Sequence, residues 1–343
     1  MGFVAICAST REEEIVSLRR RAEEIIDCSI ADSTKRNYSM GLANYLDFCK
    51  LFDVVPFPLQ QTNMILFATK LSTSESVSSI NTQLSAIKFA SHKYGYNQNF
   101  AEFRRLYLLL RGLKRIQGKK SKKKKRLPIT PSMLLQMKDR LFNSSRRYND
   151  KVMIWSAMMS AFFGFMRVSE YTSPRATEYL PNGTLCLEDV WKNDRGDGFV
   201  LCLKASKTDP FREGVQIKLM ENNSELCPVV ALKQYLNVQR RNMGPLYVFE
   251  SGSYLTRQSL SKVLKSLWGK NEGLLSTHSF RIGAATTAAA SGLPDSLIKG
   301  LGRWSSDCFR GYIRISDKVI KDVSGSLIQE PRSGVVFDPD ARC

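Results

Sequence analysis

The chain has 343 residues, 43% hydrophobic and 24% charged, which fits two globular domains with their own cores and excludes a disordered or fibrous chain. A net charge of +19 points to a polyanionic partner; the blander reading is a basic surface with only non-specific attraction. No apolar run approaches membrane-spanning length, the N-terminus runs into Arg11-Glu12-Glu13-Glu14 instead of a signal pattern, and eight cysteines without a CxxC pair sit beside only two histidines, so an intracellular protein with no membrane partner, no metal and no cofactor is expected.

Residues 1–30 form an N-terminal extension, in which Ile15, Leu18, Ala22, Ile25 and Ile26 fall at helical spacing between charge blocks. That predicts an amphipathic helix over 12–27, its stripe packed on its own domain or on a neighbouring subunit. Residues 31–117 read as a helical bundle. Ser33 or Thr34 is expected to cap a helix carrying Tyr38, Leu42, Tyr45, Leu46 and Phe48, and the prolines between Asp53 and Leu59 break it. Helical patterns resume at 63–71, 78–93 and 100–116, and no strand pattern appears before residue 120.

A basic linker spans 118–130. Lys119, Lys120, Lys122, Lys123, Lys124, Lys125 and Arg126 make seven of eight consecutive residues basic, so the run stays solvated. It is expected to lie on DNA phosphates, and it also fits a nuclear import signal. The second domain, 131–325, opens on a helix capped by Thr130 or Ser132. Residues 151–166 are apolar almost all round, as a central buried helix requires. Three strand patterns start at Leu185, Phe199 and Gly214 and predict an antiparallel sheet. Helices are expected at 228–240, 257–268, 278–291, 295–301 and 306–315, before a tail at 326–343.

The C-terminal third concentrates the chemistry: Thr277-His278-Ser279-Phe280-Arg281, then Leu301-Gly302-Arg303-Trp304, then Tyr312-Ile313-Arg314. His278 and Arg281 stand three apart on a helical pattern and so face one way. Arg167, in Gly164-Phe165-Met166-Arg167-Val168-Ser169-Glu170, ends the most apolar helix, where a charge must be paired or face a cavity, unless it snorkels to the surface. Two arginines can neutralise the oxygens of a phosphodiester, and phosphoryl transfer depends mostly on such positioning and charge. Taken singly, a tryptophan after Gly-Arg or a tyrosine near an apolar helix is more often core.

Arg167-Val168-Ser169-Glu170, the His278–Arg281 pair, Gly302-Arg303-Trp304 and Tyr312 together resemble the tyrosine recombinase (phage integrase) family over residues 130–315. The run His278 to Gly283 with Leu301 to Trp304 is most similar to eukaryotic mobile-element recombinases of the Crypton and DIRS-like groups, and Trp304 to Tyr312 is one residue shorter than in phage enzymes such as Cre recombinase. The resemblance implies a mainly α fold with a small β-sheet: a helical core-binding domain and an α+β catalytic domain forming a C-shaped DNA clamp. It implies a catalytic set of Arg167, Lys207, His278, Arg281, Trp304 and Tyr312, with Glu170 ordering the site. Tyr312 would attack the phosphodiester and form a 3′-phosphotyrosine. Lys207, in the turn between the second and third strands, would protonate the leaving 5′ oxygen, with Lys204 as the fallback. His278 would aid proton transfer near neutrality, and the Trp304 indole N–H would hold a phosphoryl oxygen. Double-stranded DNA is the implied partner, met by a dimer on one site and a homo-tetramer on paired sites. The implied location is the nucleus in a eukaryote, otherwise the cytoplasm. Rival readings are a type IB topoisomerase and a domesticated DNA-binding protein without catalysis.

Overall fold

The structure is a computed structural model. It describes residues 2–120, 126–206, 209, 211, 213–269, 275–314 and 320, with the backbone alone for 2–10, 119 and 120. By contact the chain divides into two units, Met1–Lys123 and Lys124–Cys343.

The first unit is helical: α1 (Gly2–Asp27), α2 (Asp32–Leu51), α3 (Gln61–Leu71), α4 (Val77–Lys93) and α5 (Arg104–Lys120). Tyr45, Phe48, Met64, Phe67, Ile80, Ile87 and Leu106 form its core. Each such side chain taken from water contributes about 1.5–3 kcal/mol. Gly41 lets α2 approach α4, since a Cβ there would stand 3.1 Å from the Ala86 Cβ. Two expectations need correcting. The α2 helix starts at Asp32 behind Ala31, so Ser33 and Thr34 lie inside its first turn and cap nothing. Helix α5 continues through Lys119 and Lys120, so the basic run begins inside a helix.

The second unit opens on α6 (Pro131–Phe142), capped by the Thr130 hydroxyl, which accepts from the Met133 N–H, with Pro131 in the first turn. Helix α7 (Tyr148–Phe163) is the central element, buried continuously from Val152 to Phe162. Around it pack α9 (Pro228–Val238), α11 (Ser279–Ala290) and α6. Strands β1 (Val190–Lys192), β2 (Gly198–Leu203) and β3 (Val215–Met220) form an antiparallel sheet in the order β1-β2-β3, with Leu201 paired to both Val190 and Ile217. The first strand begins later than its Leu185-Cys186-Leu187 pattern suggests. The Asp189 carboxylate accepts the Cys186 N–H at 3.0 Å and folds Leu187–Asp189 into a 3₁₀ turn. The short α8 (Val168–Tyr171), α10 (Arg257–Trp268) and α12 (Asp295–Leu301) complete the unit, and Asp307–Gly311 is a 3₁₀ turn. No described helix is long and apolar enough to cross a membrane.

Candidate active site

Arg167 does not end α7. That helix stops at Phe163, because Gly164 and then Phe165, at φ 47°, turn the chain sharply. A Cβ at Gly164 would stand 2.7 Å from the Ser160 carbonyl oxygen, so only glycine fits the turn. Arg167 follows in extended backbone and precedes α8. Its guanidinium bonds Glu170 Oε1 at 3.0 Å, and its own N–H donates to Glu170 Oε2 at 2.8 Å. Glu170 is 2% exposed, and the same Oε2 accepts from Arg303 Nη2 at 2.7 Å. Arg303 also donates to the Gly164 carbonyl at 3.1 Å and holds a left-handed backbone, φ 55°. The buried carboxylate thus joins the Arg167 turn to the Gly302-Arg303-Trp304 turn. Sequence reading placed Glu170 in a site-ordering role but missed Arg303.

Helix α11 supplies the next pair. His278 stands just before it, and Arg281 lies in its first turn, 1% exposed. The Arg281 guanidinium donates to the Phe165 and Gly302 carbonyl oxygens. It also stacks on the Trp304 ring, 4.1 Å from the centroid. Burial, and then Arg167 and Arg303, push its pKa down to about 9, so it stays charged at neutral pH. Two of the five guanidinium N–H donors are thus taken by backbone carbonyls, which fixes the position of the charge.

His278 also departs from expectation. Burial, followed by repulsion from Arg126, Arg281, Arg167 and Arg257, lowers its pKa to about 4. The imidazole is therefore neutral at physiological pH in the DNA-free protein, not poised near neutrality. This places Arg126, the last residue of the basic run, in the electrostatic neighbourhood of the site. A backbone contact holds it there: the Ile129 N–H donates to the Ser279 carbonyl at 3.0 Å. A Cβ on Gly283 would meet the Ile129 carbonyl oxygen at 1.9 Å, so glycine is what admits this strand of chain against α11.

Tyr312 follows the 3₁₀ turn Asp307–Gly311 and is not on the regular helix expected for 306–315. Ser306 makes no side-chain cap there, while Phe309 is buried as an anchor. The Thr286 hydroxyl of α11 donates to the Tyr312 carbonyl at 3.1 Å. The half-buried Tyr312 ring lies 5.1 Å from the His278 ring and 5.6 Å from the Trp304 ring, centroid to centroid. Trp304 packs on Gly302, where a Cβ would stand 1.6 Å from the indole. Gly302 is needed for that close approach rather than for an unusual backbone angle, since its φ is −81°.

Arg167, Glu170, His278, Arg281, Trp304 and Tyr312 therefore converge in one unit. Lys207 lies outside the described residues, as do Lys122, Lys123, Lys124 and Lys125. Lys119 and Lys120 are at the end of α5. Lys204 is held by Asp189 at 2.9 Å and donates to the Pro181 carbonyl, which makes it a poor fallback proton donor.

The fold is that of the tyrosine recombinases. XerH site-specific recombinase bound to palindromic difH substrate superposes with a TM-score of 0.57 at 13% identity, covering 86% of this chain and 80% of that one. A lambda integrase fragment, solved as a dimer bound to a COC′ core site, gives 0.55 at 14% identity over 87% and 94%. The Tn1549 transposon integrase with transposon right-end DNA gives 0.55 at 12% identity over 92% and 98%. In sequence the chain is 23% identical over 295 residues to an integrase/recombinase XerD homolog of Selenomonas ruminantium, covering 82% of this chain and 81% of the relative. No protein-family model matches the sequence.

Proposed function

We propose that the chain is a DNA recombinase that cuts and rejoins strands through Tyr312. The observation that carries this reading is the cluster in which Arg281 stacks on Trp304 at 4.1 Å while Tyr312 lies 5.6 Å from Trp304 and 5.1 Å from His278, on a recombinase fold. The Tyr312 oxygen attacks phosphorus, forms an ester with the 3′ phosphate and releases the 5′ oxygen. Lys207 gives that oxygen its proton. A 5′ hydroxyl from another strand then reverses the step, returning the phenol and conserving the phosphodiester bond. Arg167 and Arg281 stabilise charge on the phosphoryl oxygens. Bound phosphate offsets the arginines that lower the His278 pKa, and His278 then accepts the Tyr312 proton, which a phenol with a free pKa near about 10 otherwise keeps. Trp304 holds the Arg281 plane and walls the site.

Double-stranded DNA is the partner, bound by dimers on one site and tetramers on paired sites. The His278–Gly283 and Leu301–Trp304 runs favour a eukaryotic mobile element, and the basic run favours a nuclear protein; both support transposition as the biological setting. A nicked suicide substrate tests the chemistry. The wild-type protein should form a covalent adduct through a 3′ phosphate, and Tyr312→Phe should form none while still binding DNA. An adduct with the Phe variant refutes the assignment of the nucleophile. Relaxation of a plasmid that carries no recombination site would instead favour a topoisomerase.

A further inference from the structure

Helix α1 is an anomaly in its own unit. From Arg11 to Ile26 every side chain is exposed, among them Ile15 at 48%, Leu18 at 62% and Ile25 at 59%. Ion pairs from Lys93 to Glu23 and Asp27 tether its C-terminal end. An apolar stripe left in water on a three-turn stretch marks a docking surface.

The charges say what docks there. Residues 11–27 carry four arginines against five glutamates and one aspartate, a net of −2, while the rest of the chain carries +21, from +19 minus −2. A DNA backbone would be repelled, so the occupant is protein. The charges also run in blocks, with Glu12, Glu13 and Glu14 separated from Arg19, Arg20 and Arg21 by the stretch that bears Ile15 and Leu18. Ile15, Leu18, Ala22 and Ile25 follow one another at steps of three, four and three residues, the seam of a two-helix coiled coil. Glu14 and Arg21 flank that seam on one side, Glu12 and Arg19 on the other.

We infer that α1 is a self-association helix whose occupant is the α1 of a second copy, running antiparallel. In that register Ile15 meets the second copy's Leu18, and Ala22 lies against the aliphatic stem of the second copy's Arg11. Glu14 then faces the second copy's Arg21, and Glu12 the second copy's Arg19. Two-fold symmetry repeats both pairs, so the four flanking contacts are all between opposite charges. A parallel pair would make only the Glu14–Arg19 contact and its repeat.

Sedimentation equilibrium of the full chain without DNA at low salt tests this, independently of any strand cleavage. The wild-type chain should associate above its 38.8 kDa monomer mass towards twice that value. Arg19→Glu with Arg21→Glu, or Glu12→Arg with Glu14→Arg, should each weaken association at least tenfold. Mixing the two variants should restore it as a heterodimer. Circular dichroism should show that each variant keeps its helix content. Glu12→Arg alone should also weaken the dimer, since that contact exists only in the antiparallel register. A monomer at 100 µM overturns the inference, as do reversed variants that associate as tightly as wild type, a mixture that stays dissociated, or no response to Glu12→Arg.

Discussion

Two residues set the electrostatics of the site in ways their sequence neighbours do not announce. Arg303 reaches Glu170, 133 positions earlier, and shares that carboxylate with Arg167. Breaking one member of a buried ionic group typically costs about 3–5 kcal/mol, because the remaining charge is left unpaired. Arg303→Ala should therefore lower thermal stability and free the Arg167 turn. Single-turnover cleavage of bound DNA should fall on the order of tenfold, more than DNA affinity falls, and Arg303→Lys should recover part of the rate but not the geometry of the fork. Equal losses in affinity and rate would show that Arg303 only holds the fold. His278 gives a second measurement. Its folded pKa of about 4 is below its unfolded value of 6.5, so the unfolded chain takes up the proton first. This residue's contribution to stability is whole above pH 6.5 and declines as pH falls towards 4. Replacing it by Gln should flatten the melting temperature across that window; an unchanged slope would contradict the burial of the imidazole. The convergence of Arg167, His278, Arg281, Trp304 and Tyr312 was legible in the sequence because their order and spacing are distinctive. Arg303 was not, since nothing local separates a buried arginine after glycine from a solvated one.

At the level of elements, periodicity found the buried α7, the three-stranded antiparallel sheet and the helices 257–268 and 295–301 at their observed limits. It failed where polar capping or steric contact decides. The Asp189 carboxylate bends the chain before β1, and the Gly164–Phe165 turn takes Arg167 off α7, and both depend on contacts that a hydrophobic pattern does not encode. Gly283 is another such contact. Gly283→Ala should push the Leu127–Thr130 segment off α11 and cost about 1–3 kcal/mol, as overpacking does. For a unit of this size that is a fall of several degrees in melting temperature. The same change should raise the His278 pKa by moving Arg126 away, which NMR titration of the imidazole would detect. A stable variant with an unmoved titration would show that the segment has another route past the helix.

On the scale of the whole molecule, charge is divided unevenly between a basic body and an acidic α1. The run Lys119 to Arg126 falls at the division between the two units. Each phosphate contact made by this run would release counterions and steepen the fall of log K with log salt by about 0.9. Replacing Lys122, Lys123, Lys124 and Lys125 by Ala should weaken binding at low salt and flatten that slope. The loss should be similar on specific and unrelated DNA, because phosphate contacts carry little sequence information. An unchanged slope would leave the run as a tether or an import signal.

The Arg167–Glu170–Arg303 group has a consequence for how descendants of such a protein would change. Each member is held by the others in a nearly dry place, so single losses are destabilising whatever the protein does. Tyr312 is half-buried at the end of a short turn, packs on the edge of the core and belongs to no buried ion-pair group, so its loss leaves no charge unpaired. On the proposal that Tyr312 is the nucleophile, a lineage released from cutting DNA would shed it early and keep its arginines long. In a drifting copy, the persistence of the arginines would record only that the protein still folds, and the tyrosine position would be the place to read whether it still cuts.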